Sequence, residues 1–125
     1  MIIKESAENY LETILVLKNK NGYARSIDVA THLGFSKPSV SVAMKSLRED
    51  GYITVEADGS IELCEKGLKI AEEMYERHNI IASALMALGV DEETAFEDSC
   101  RIEHRISKQS FDRIKEYMEK LNSRQ

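Results

Sequence analysis

Three side chains that can bind a metal ion stand close together late in the chain: Cys100, Glu103 and His104. On a helix, their i, i+3 and i+4 spacing would place them on one face, within reach of a single ion. A thiolate, a carboxylate and an imidazole together suit a first-row transition metal. The same spacing also fits a buried cysteine beside a surface Glu-His pair, so spacing alone leaves both interpretations open.

Further candidate ligands lie on other predicted helices. His78 stands late on a long predicted helix with apolar neighbours, and a histidine in such a place is more often structural than a ligand. Asn9 and Glu12 stand three residues apart on the first predicted helix and offer oxygen ligands. The candidate metal ligands are therefore Asn9, Glu12, His78, Cys100, Glu103 and His104.

Residues 25–50 show the pattern of two short helices joined by a tight turn. Ser26 is the predicted N-cap of the first helix, whose inward face would include Ile27, and Gly34 would end that helix in the left-handed conformation. Ser36 is the predicted N-cap of the second helix. This pattern is typical of a helix-turn-helix, although many helical domains that do not bind DNA share it.

The second helix, residues 36–48, has one apolar and one polar face. From Val40 onward, apolar residues recur at i, i+3, i+4 and i+7, which predicts a buried stripe. The opposite face has short, polar or basic side chains and would fit the major groove of DNA. The predicted phosphate contacts are Arg25, Ser26, Lys37 and Lys45. The predicted contacts to base edges are Pro38, Ser39, Ser41 and Val42.

A β-hairpin is predicted directly after this helix. Residues 52–55 favour a strand, Asp58-Gly59 is a two-residue turn signal, and apolar residues alternate over 61–63. A helix-turn-helix followed at once by one hairpin is a winged helix. The combination predicts a module that reads double-stranded DNA, with a mainly α fold and a small β-hairpin wing.

Charge is distributed unevenly along the 125 residues, whose net charge is −5. Residues 21–55 carry a net charge of +1, whereas residues 62–104 carry −7. One interpretation is that affinity for DNA is withheld until a cation arrives. The other is that the glutamates simply solvate helix surfaces, which is the more common role of such residues.

Composition is that of an ordinary soluble protein, with 31% charged and 42% hydrophobic residues. We expect neither a membrane span nor a signal peptide, because no apolar run is long enough for either. Two cysteines, Cys64 and Cys100, do not make a disulfide framework. A cytoplasmic location without membrane contact is therefore expected.

Over residues 6–115 the chain carries a series of motifs whose order is specific to one family. They are Ala7-Glu8-Asn9-Tyr10-Leu11-Glu12, Ser36-Lys37-Pro38-Ser39-Val40-Ser41, Arg48-Glu49-Asp50-Gly51-Tyr52, Glu65-Lys66-Gly67, Tyr75-Glu76-Arg77-His78, Gly89-Val90-Asp91 and Cys100-Arg101-Ile102-Glu103-His104. With these motifs the chain closely resembles the metal-dependent repressors of the diphtheria toxin repressor and manganese transport regulator group.

This resemblance implies a homodimer in which metal binds between the first helix and the dimerisation helices, and whose metal-loaded form binds a palindromic operator. It implies a winged helix DNA-binding domain over residues 1–64 and a helical metal-binding and dimerisation domain over residues 65–125. The chain resembles the short form of the family, without an SH3-like C-terminal domain. Apolar residues in 79–88 and 94–118 also exceed what a monomer could bury, which favours a two-fold dimer.

At the ligand positions the resemblance is mixed. Residues 100–104 match the principal site of the toxin repressor type, and His78 matches a ligand histidine of both types. Asn9 stands where manganese regulators have an aspartate. Ala82 and Phe96 stand at ancillary-site positions of the toxin repressor type, so that second site is expected to be incomplete.

Ligand softness gives the expected metal. The Cys100 thiolate favours Fe(II), Co(II), Ni(II) or Zn(II) over Mn(II), whereas the oxygen donors of Asn9 and Glu12 suit Mn(II). We expect Fe(II), with Mn(II) as the alternative, in a regulator that controls iron or manganese uptake genes.

Two other classes of function fit parts of the sequence. Cys100, Glu103 and His104 could hold a catalytic zinc with Glu12 as base, but no nucleophile motif, Gly-rich loop or HExxH-type helix supports an enzyme. A winged helix could also serve only as a dimerising interaction module without metal control. The predicted function remains a metal-activated repressor that is not an enzyme.

Overall fold

The computed structural model describes residues 5–123 and contains two compact units, one up to Glu73 and one from Met74. The described elements are, in chain order, α1 (Glu5–Asn21), α2 (Ser26–Leu33), α3 (Lys37–Glu49), β1 (Ile53–Val55), β2 (Ile61–Leu63), α4 (Glu65–Ala87), α5 (Glu92–Ile102) and α6 (Lys108–Ser123). The predicted mainly α fold with a small β-hairpin wing is confirmed.

The core of the first unit forms where α1, α2, α3 and the hairpin meet. Each of these elements contributes side chains that are fully buried: Leu11, Ile14, Val29, Val40 and Ile61. Burying an aliphatic side chain of this size stabilises a fold by about 1.5–3 kcal/mol. The shared core therefore fixes α3 and the hairpin in one arrangement within this unit.

The helix-turn-helix follows the predicted local signals at its turn and in its second helix. Gly34 has φ 72° and ends α2 in the left-handed conformation. Ser36 caps α3, because its hydroxyl oxygen accepts a hydrogen bond from the Ser39 N–H at 3.3 Å. Met44 and Leu47 are buried on the predicted apolar stripe of α3.

The start of α2 differs from the prediction in two respects. Ser26 is the first helical residue rather than the cap, and the N–H of Arg25 before it donates to the Asp28 carboxylate at 3.1 Å. Ile27 is 48% exposed, whereas Val29 and Ala30 are buried. The inward face is centred on positions 29, 30 and 33, and position 27 lies more than about a quarter turn away from that centre.

The wing is an antiparallel hairpin that is joined to the chain before α2. Ile53 pairs with Leu63 and Val55 with Ile61. The turn is one residue longer than the predicted two-residue turn, because the Glu56 N–H donates to the Ser60 carbonyl at 2.8 Å and residues 57–59 form the loop. Three-residue hairpin loops of this kind place a glycine in the left-handed conformation, and here that residue is Gly59, with φ 87°.

The second unit contains most of α4 together with α5 and α6. Asp91 caps α5 by accepting a hydrogen bond from the Thr94 N–H at 3.2 Å. Cys100, Glu103 and His104 were expected to share one helix, but α5 ends at Ile102, so the candidate ligands at 103 and 104 lie in the turn that follows it. Among residues 5–123, no helix is both long enough and apolar enough to cross a membrane.

Candidate metal centre and DNA-binding surface

Three of the predicted metal ligands meet in the second unit. His78 of α4 places its Nδ1 2.9 Å from the Glu103 Oε2 and 3.7 Å from the Cys100 Sγ. One ligand atom from each of these residues lies within 4.8 Å of the other two. Nitrogen, sulfur and oxygen donors at such separations fit a single divalent transition-metal ion.

His104 lies on the other side of the same carboxylate. Its Nε2 is 3.1 Å from the Glu103 Oε1, and its side chain is 4% exposed. The Glu103 side chain is 1% exposed, so a buried carboxylate stands between two imidazole rings. The four candidate ligands of the second unit are therefore neighbours, with Glu103 at the centre and Cys100 on the exposed side.

Two further side chains hold this cluster in place, and neither was among the predicted site residues. The Ser99 hydroxyl donates to the main-chain carbonyl of His78 and so joins α5 to α4. Arg77 donates from one guanidinium nitrogen to the carbonyls of Glu103 at 3.2 Å and Ile106 at 3.3 Å. Arg77 therefore holds the turn after α5, and its position beside His78 was the only available sequence signal.

The residues at the incomplete second site of the toxin repressor type have structural roles. Phe96 packs against the imidazole of His78, with ring centroids 5.3 Å apart and planes tilted by 40°. Ala82 is fully buried. Neither side chain offers a metal ligand, and the phenyl ring restricts the orientation of His78.

The charge state of His78 depends on its two polar neighbours. The His78 Nδ1–H donates hydrogen bonds to Cys100 and Glu103, and these bonds, together with the neighbouring negative charge, outweigh partial burial and raise the pKa of His78 to about 10. This positive charge offsets the negative charge of the buried Glu103. A metal ion that binds at this nitrogen must displace the proton.

The other two predicted ligands belong to the first unit. Asn9 is half-buried and Glu12 is buried, and both lie on α1. A carboxylate that is 7% exposed, as at Glu12, is unusual for a helix surface residue. The role of both residues as metal ligands stays a prediction.

The side chains that were predicted to contact DNA lie on the surface of the first unit. All six candidates on α3 are exposed, and Val42 is the most prominent at 71% exposure. Arg25 is exposed and lies with its guanidinium carbon 5.2 Å from the centroid of the Tyr23 ring. Ser26 is half-buried, and the Ser39 hydroxyl is hydrogen-bonded to that of Ser36 at 2.8 Å.

Comparisons with known proteins agree with this arrangement. The family model described as "Iron dependent repressor, N-terminal DNA binding domain" matches residues 3–61. The model described as "Iron dependent repressor, metal binding and dimerisation domain" matches residues 64–124. Together these two models cover nearly the whole chain.

Individual relatives and structures support the same assignment. The HTH-type transcriptional regulator MntR of Bacillus subtilis is 38% identical over 109 residues, which are 87% of this chain and 77% of that protein. An uncharacterised HTH-type transcriptional regulator of Methanocaldococcus jannaschii is 34% identical over 124 residues, 98% of this chain and 99% of that protein. The crystal structure of IdeR from T. acidophilum shares the fold with a TM-score of 0.79 at 24% identity, over 94% of this chain and 55% of that one. The chain therefore belongs to the iron-dependent repressor family of metal-dependent, DNA-binding transcription regulators, the group of the diphtheria toxin repressor and the manganese transport regulator.

Proposed function

We propose that this protein binds operator DNA when His78, Cys100, Glu103 and His104 hold a divalent metal ion. The observation that carries this assignment is the convergence of nitrogen, sulfur and oxygen donors from His78, Cys100 and Glu103 within 4.8 Å. These donors come from α4, α5 and the turn after α5, so an ion bound to all of them links the helices of the second unit. Such a link favours one arrangement of the helices over others.

Fe(II) or Mn(II) is the metal, and we propose Fe(II) as the effector that binds more tightly. The soft thiolate of Cys100 favours Fe(II) over Mn(II), because Mn(II) prefers oxygen ligands. The Glu103 carboxylate suits both ions. The bound ion supplies positive charge at the buried Glu103 carboxylate, where the protonated His78 supplies it in the metal-free protein.

The first unit reads DNA with α3 in the major groove. Its exposed face combines two lysines with small or apolar side chains, which allows close approach to base edges. Lys37 and Lys45 contact phosphates, and Arg25 and Ser26 at the start of α2 provide further backbone contacts. The base-edge contacts come from Pro38, Ser39, Ser41 and Val42.

An apolar groove in the second unit is the proposed contact between two copies of the chain. The groove has a volume of about 530 Å³ and is lined by residues of α4, of the turn after α4 and of α6, among them Ile81, Leu85, Leu88, Ile114, Tyr117 and Met118. Leu88 is 82% exposed and Tyr117 is 65% exposed. A second copy that covers these side chains accounts for their exposure, and the two-fold axis of the dimer implies a palindromic operator.

Residues 1–64 thus serve DNA binding, and residues 65–125 serve metal binding and dimerisation. We propose that the metal cluster regulates DNA binding rather than catalysing a reaction, because the chain belongs to a family of transcription regulators. A regulator that binds operator DNA acts where the DNA is, which for a bacterial-type protein is the cytoplasm.

The first prediction tests the metal assignment. Glu103→Gln keeps the shape of the side chain but removes the charge at the centre of the cluster, so we expect metal-dependent DNA binding to be lost while the protein stays folded. The measurement is retardation of a duplex that the parent protein selects from a random library, under anaerobic conditions, with Fe(II), with Mn(II) and with chelator. Glu97→Gln, an exposed change on α5, is the matched control and should behave as the parent. An unchanged metal dependence in Glu103→Gln contradicts the assignment.

The second prediction concerns the phosphate contacts. Lys37→Ala and Lys45→Ala should each weaken binding to all sequences and reduce the slope of log affinity against log salt by about one. Lys20→Ala, an exposed lysine at the end of α1, is the control and should leave the slope unchanged. If both α3 variants retain the slope of the parent, another surface lies against the DNA.

The third prediction concerns the dimer. Leu88→Lys places a charge in the apolar groove and should raise the dimer dissociation constant more than about tenfold, because a buried unpaired charge is costly. Sedimentation equilibrium with metal present measures the change. Ser83→Lys, at an exposed position on α4 outside the groove lining, is the control. A Leu88→Lys protein that remains as dimeric as the parent places the contact elsewhere.

The fourth prediction follows from the raised pKa of His78. Below pH 6.5 the imidazole is protonated in both the folded and the unfolded chain, so the stabilisation from its pairing with Cys100 and Glu103 is fully present. This stabilisation of the fold is lost as pH rises through about 10. Metal binding competes with the same proton, so metal affinity should rise with pH across this window.

Calorimetric titration of Mn(II) in two buffers with different ionisation enthalpies measures the protons released. At about pH 7.5 the parent should release about one proton more per metal ion than His78→Asn, which cannot carry that proton. Equal proton release, or an NMR titration of the His78 ring with a midpoint near 6.5 in the metal-free protein, contradicts the prediction.

A further inference from the structure

The wing of this protein carries negative charge only. Between Ile53 and Leu63 the charged residues are Glu56, Asp58 and Glu62, and the segment contains no lysine or arginine. A protein surface that lies against DNA is usually enriched in positive charge, because phosphate contacts supply most of the affinity. The wing therefore has the opposite charge from a surface that binds the DNA backbone.

The tip of the wing lies beside proposed phosphate contacts. The main chain of Ser60 forms an antiparallel bridge with that of Arg25, and the Ile61 N–H donates to the Ala24 carbonyl at 2.7 Å. Arg25 and Ser26, at the start of α2, are among the residues that we propose contact the phosphate backbone of the DNA. These main-chain bonds hold the wing tip close to the path of the phosphates.

All three wing carboxylates are exposed, and one of them has a basic partner on another element. Glu62 forms an ion pair with Lys18 of α1, which compensates its charge. Glu56 and Asp58 are exposed at the tip. The Ser60 hydroxyl and N–H donate to the Asp58 Oδ1 at 2.6 and 3.0 Å, and these bonds, with a smaller contribution from the charge of Arg25, hold the pKa of Asp58 below its usual range.

These acidic side chains reverse the charge of the reading head, which is the helix-turn-helix together with the wing, residues 21–63. Residues 21–55 carry a net charge of +1, but residues 21–63 carry −2, because the wing adds three carboxylates. The uneven charge distribution therefore extends into the winged helix and is not confined to the rest of the chain. A single reading head with this charge gains little from non-specific attraction to DNA.

We propose that Glu56 and Asp58 make the wing a specificity element that repels the DNA backbone and so lowers the affinity of one reading head for any sequence. This inference rests on the proposed function of the first unit as the DNA-reading part. Non-specific binding is almost entirely electrostatic, so repulsion at the wing suppresses it directly. Stable binding then requires the base contacts of α3 together with the second reading head of the metal-loaded dimer.

The test variant is Glu56→Gln/Asp58→Asn, which removes both charges with little change in shape. The amide oxygen of an asparagine at position 58 can still accept the hydrogen bonds from Ser60, and Asn-Gly is a favoured hairpin turn. Affinity is measured with Mn(II) for a scrambled duplex and for a duplex that the parent selects, at several salt concentrations. We expect the variant to bind the scrambled duplex about three- to tenfold more tightly at low salt, with the gain shrinking as salt screens the charges.

The matched control is Glu92→Gln/Glu93→Gln, which makes the same change in net charge at two exposed positions of α5. This control should stay within about twofold of the parent, because its charges are not on the reading head. Glu56→Lys should exceed Glu56→Gln in affinity for the scrambled duplex, since it adds attraction as well as removing repulsion.

Several results overturn the proposal. Unchanged or weaker binding of the scrambled duplex by the wing variant shows that the wing does not repel DNA. An equal gain in the control shows that net charge alone is responsible. A gain that does not depend on salt indicates a new contact rather than lost repulsion. Binding to the scrambled duplex tests the role of the wing even if the parent selects no operator. Failure of the parent to select an operator would count against the proposed function, not against the role of the wing.

Discussion

The second unit depends on the compensation of one buried carboxylate. Glu103 is 1% exposed and lies between His78 at 2.9 Å and His104 at 3.1 Å. Burying an ionised carboxylate costs about several kcal/mol unless positive charge and hydrogen bonds compensate it. The cost increases as water is excluded from the site. The proton on His78 and a bound metal ion are two ways to provide the same compensation. Under the proposed function, exchanging one cation for the other changes how many donors are joined, and this change would let the site regulate DNA binding.

The first unit is governed by a different balance, between a well-packed core and a weakly charged surface. Val29, Val40 and Ile61 hold α2, α3 and the wing in one block, so the reading surface does not need DNA to form. Its charge does not favour DNA strongly, since the three carboxylates of the wing equal the three basic residues of α3 in number. A rigid head with low intrinsic attraction suits a protein whose binding depends on a second event, because the free energy that the event adds then decides whether the complex forms.

The predictions from sequence are correct where one or two side chains determine the local backbone conformation. Ser36 caps α3 as expected, and Asp91 caps α5 in the same way, because a short polar side chain can accept hydrogen bonds from the free N–H groups at a helix start. The same rule gave the wrong answer at Ser26. There the Asp28 carboxylate accepts the N–H of Arg25, and the helix begins at Ser26, one residue earlier than a Ser26 cap would place it. Several polar residues near that helix start could act as the cap, and which of them does so depends on how α2 packs.

The sequence by itself determined the family and the order of the helices and wing, and it supplied the candidate side chains for metal and DNA binding. These features follow from motif order, hydrophobic period and residue chemistry, which are properties of short segments. Only the tertiary structure decided that α5 ends at Ile102 and that His78, some 25 residues before Glu103 in the chain, reaches the same carboxylate. That meeting depends on Arg77 and Ser99, whose side chains donate to main-chain carbonyls distant in sequence. No local pattern encodes such bonds, because their partners become neighbours only after the helices have packed.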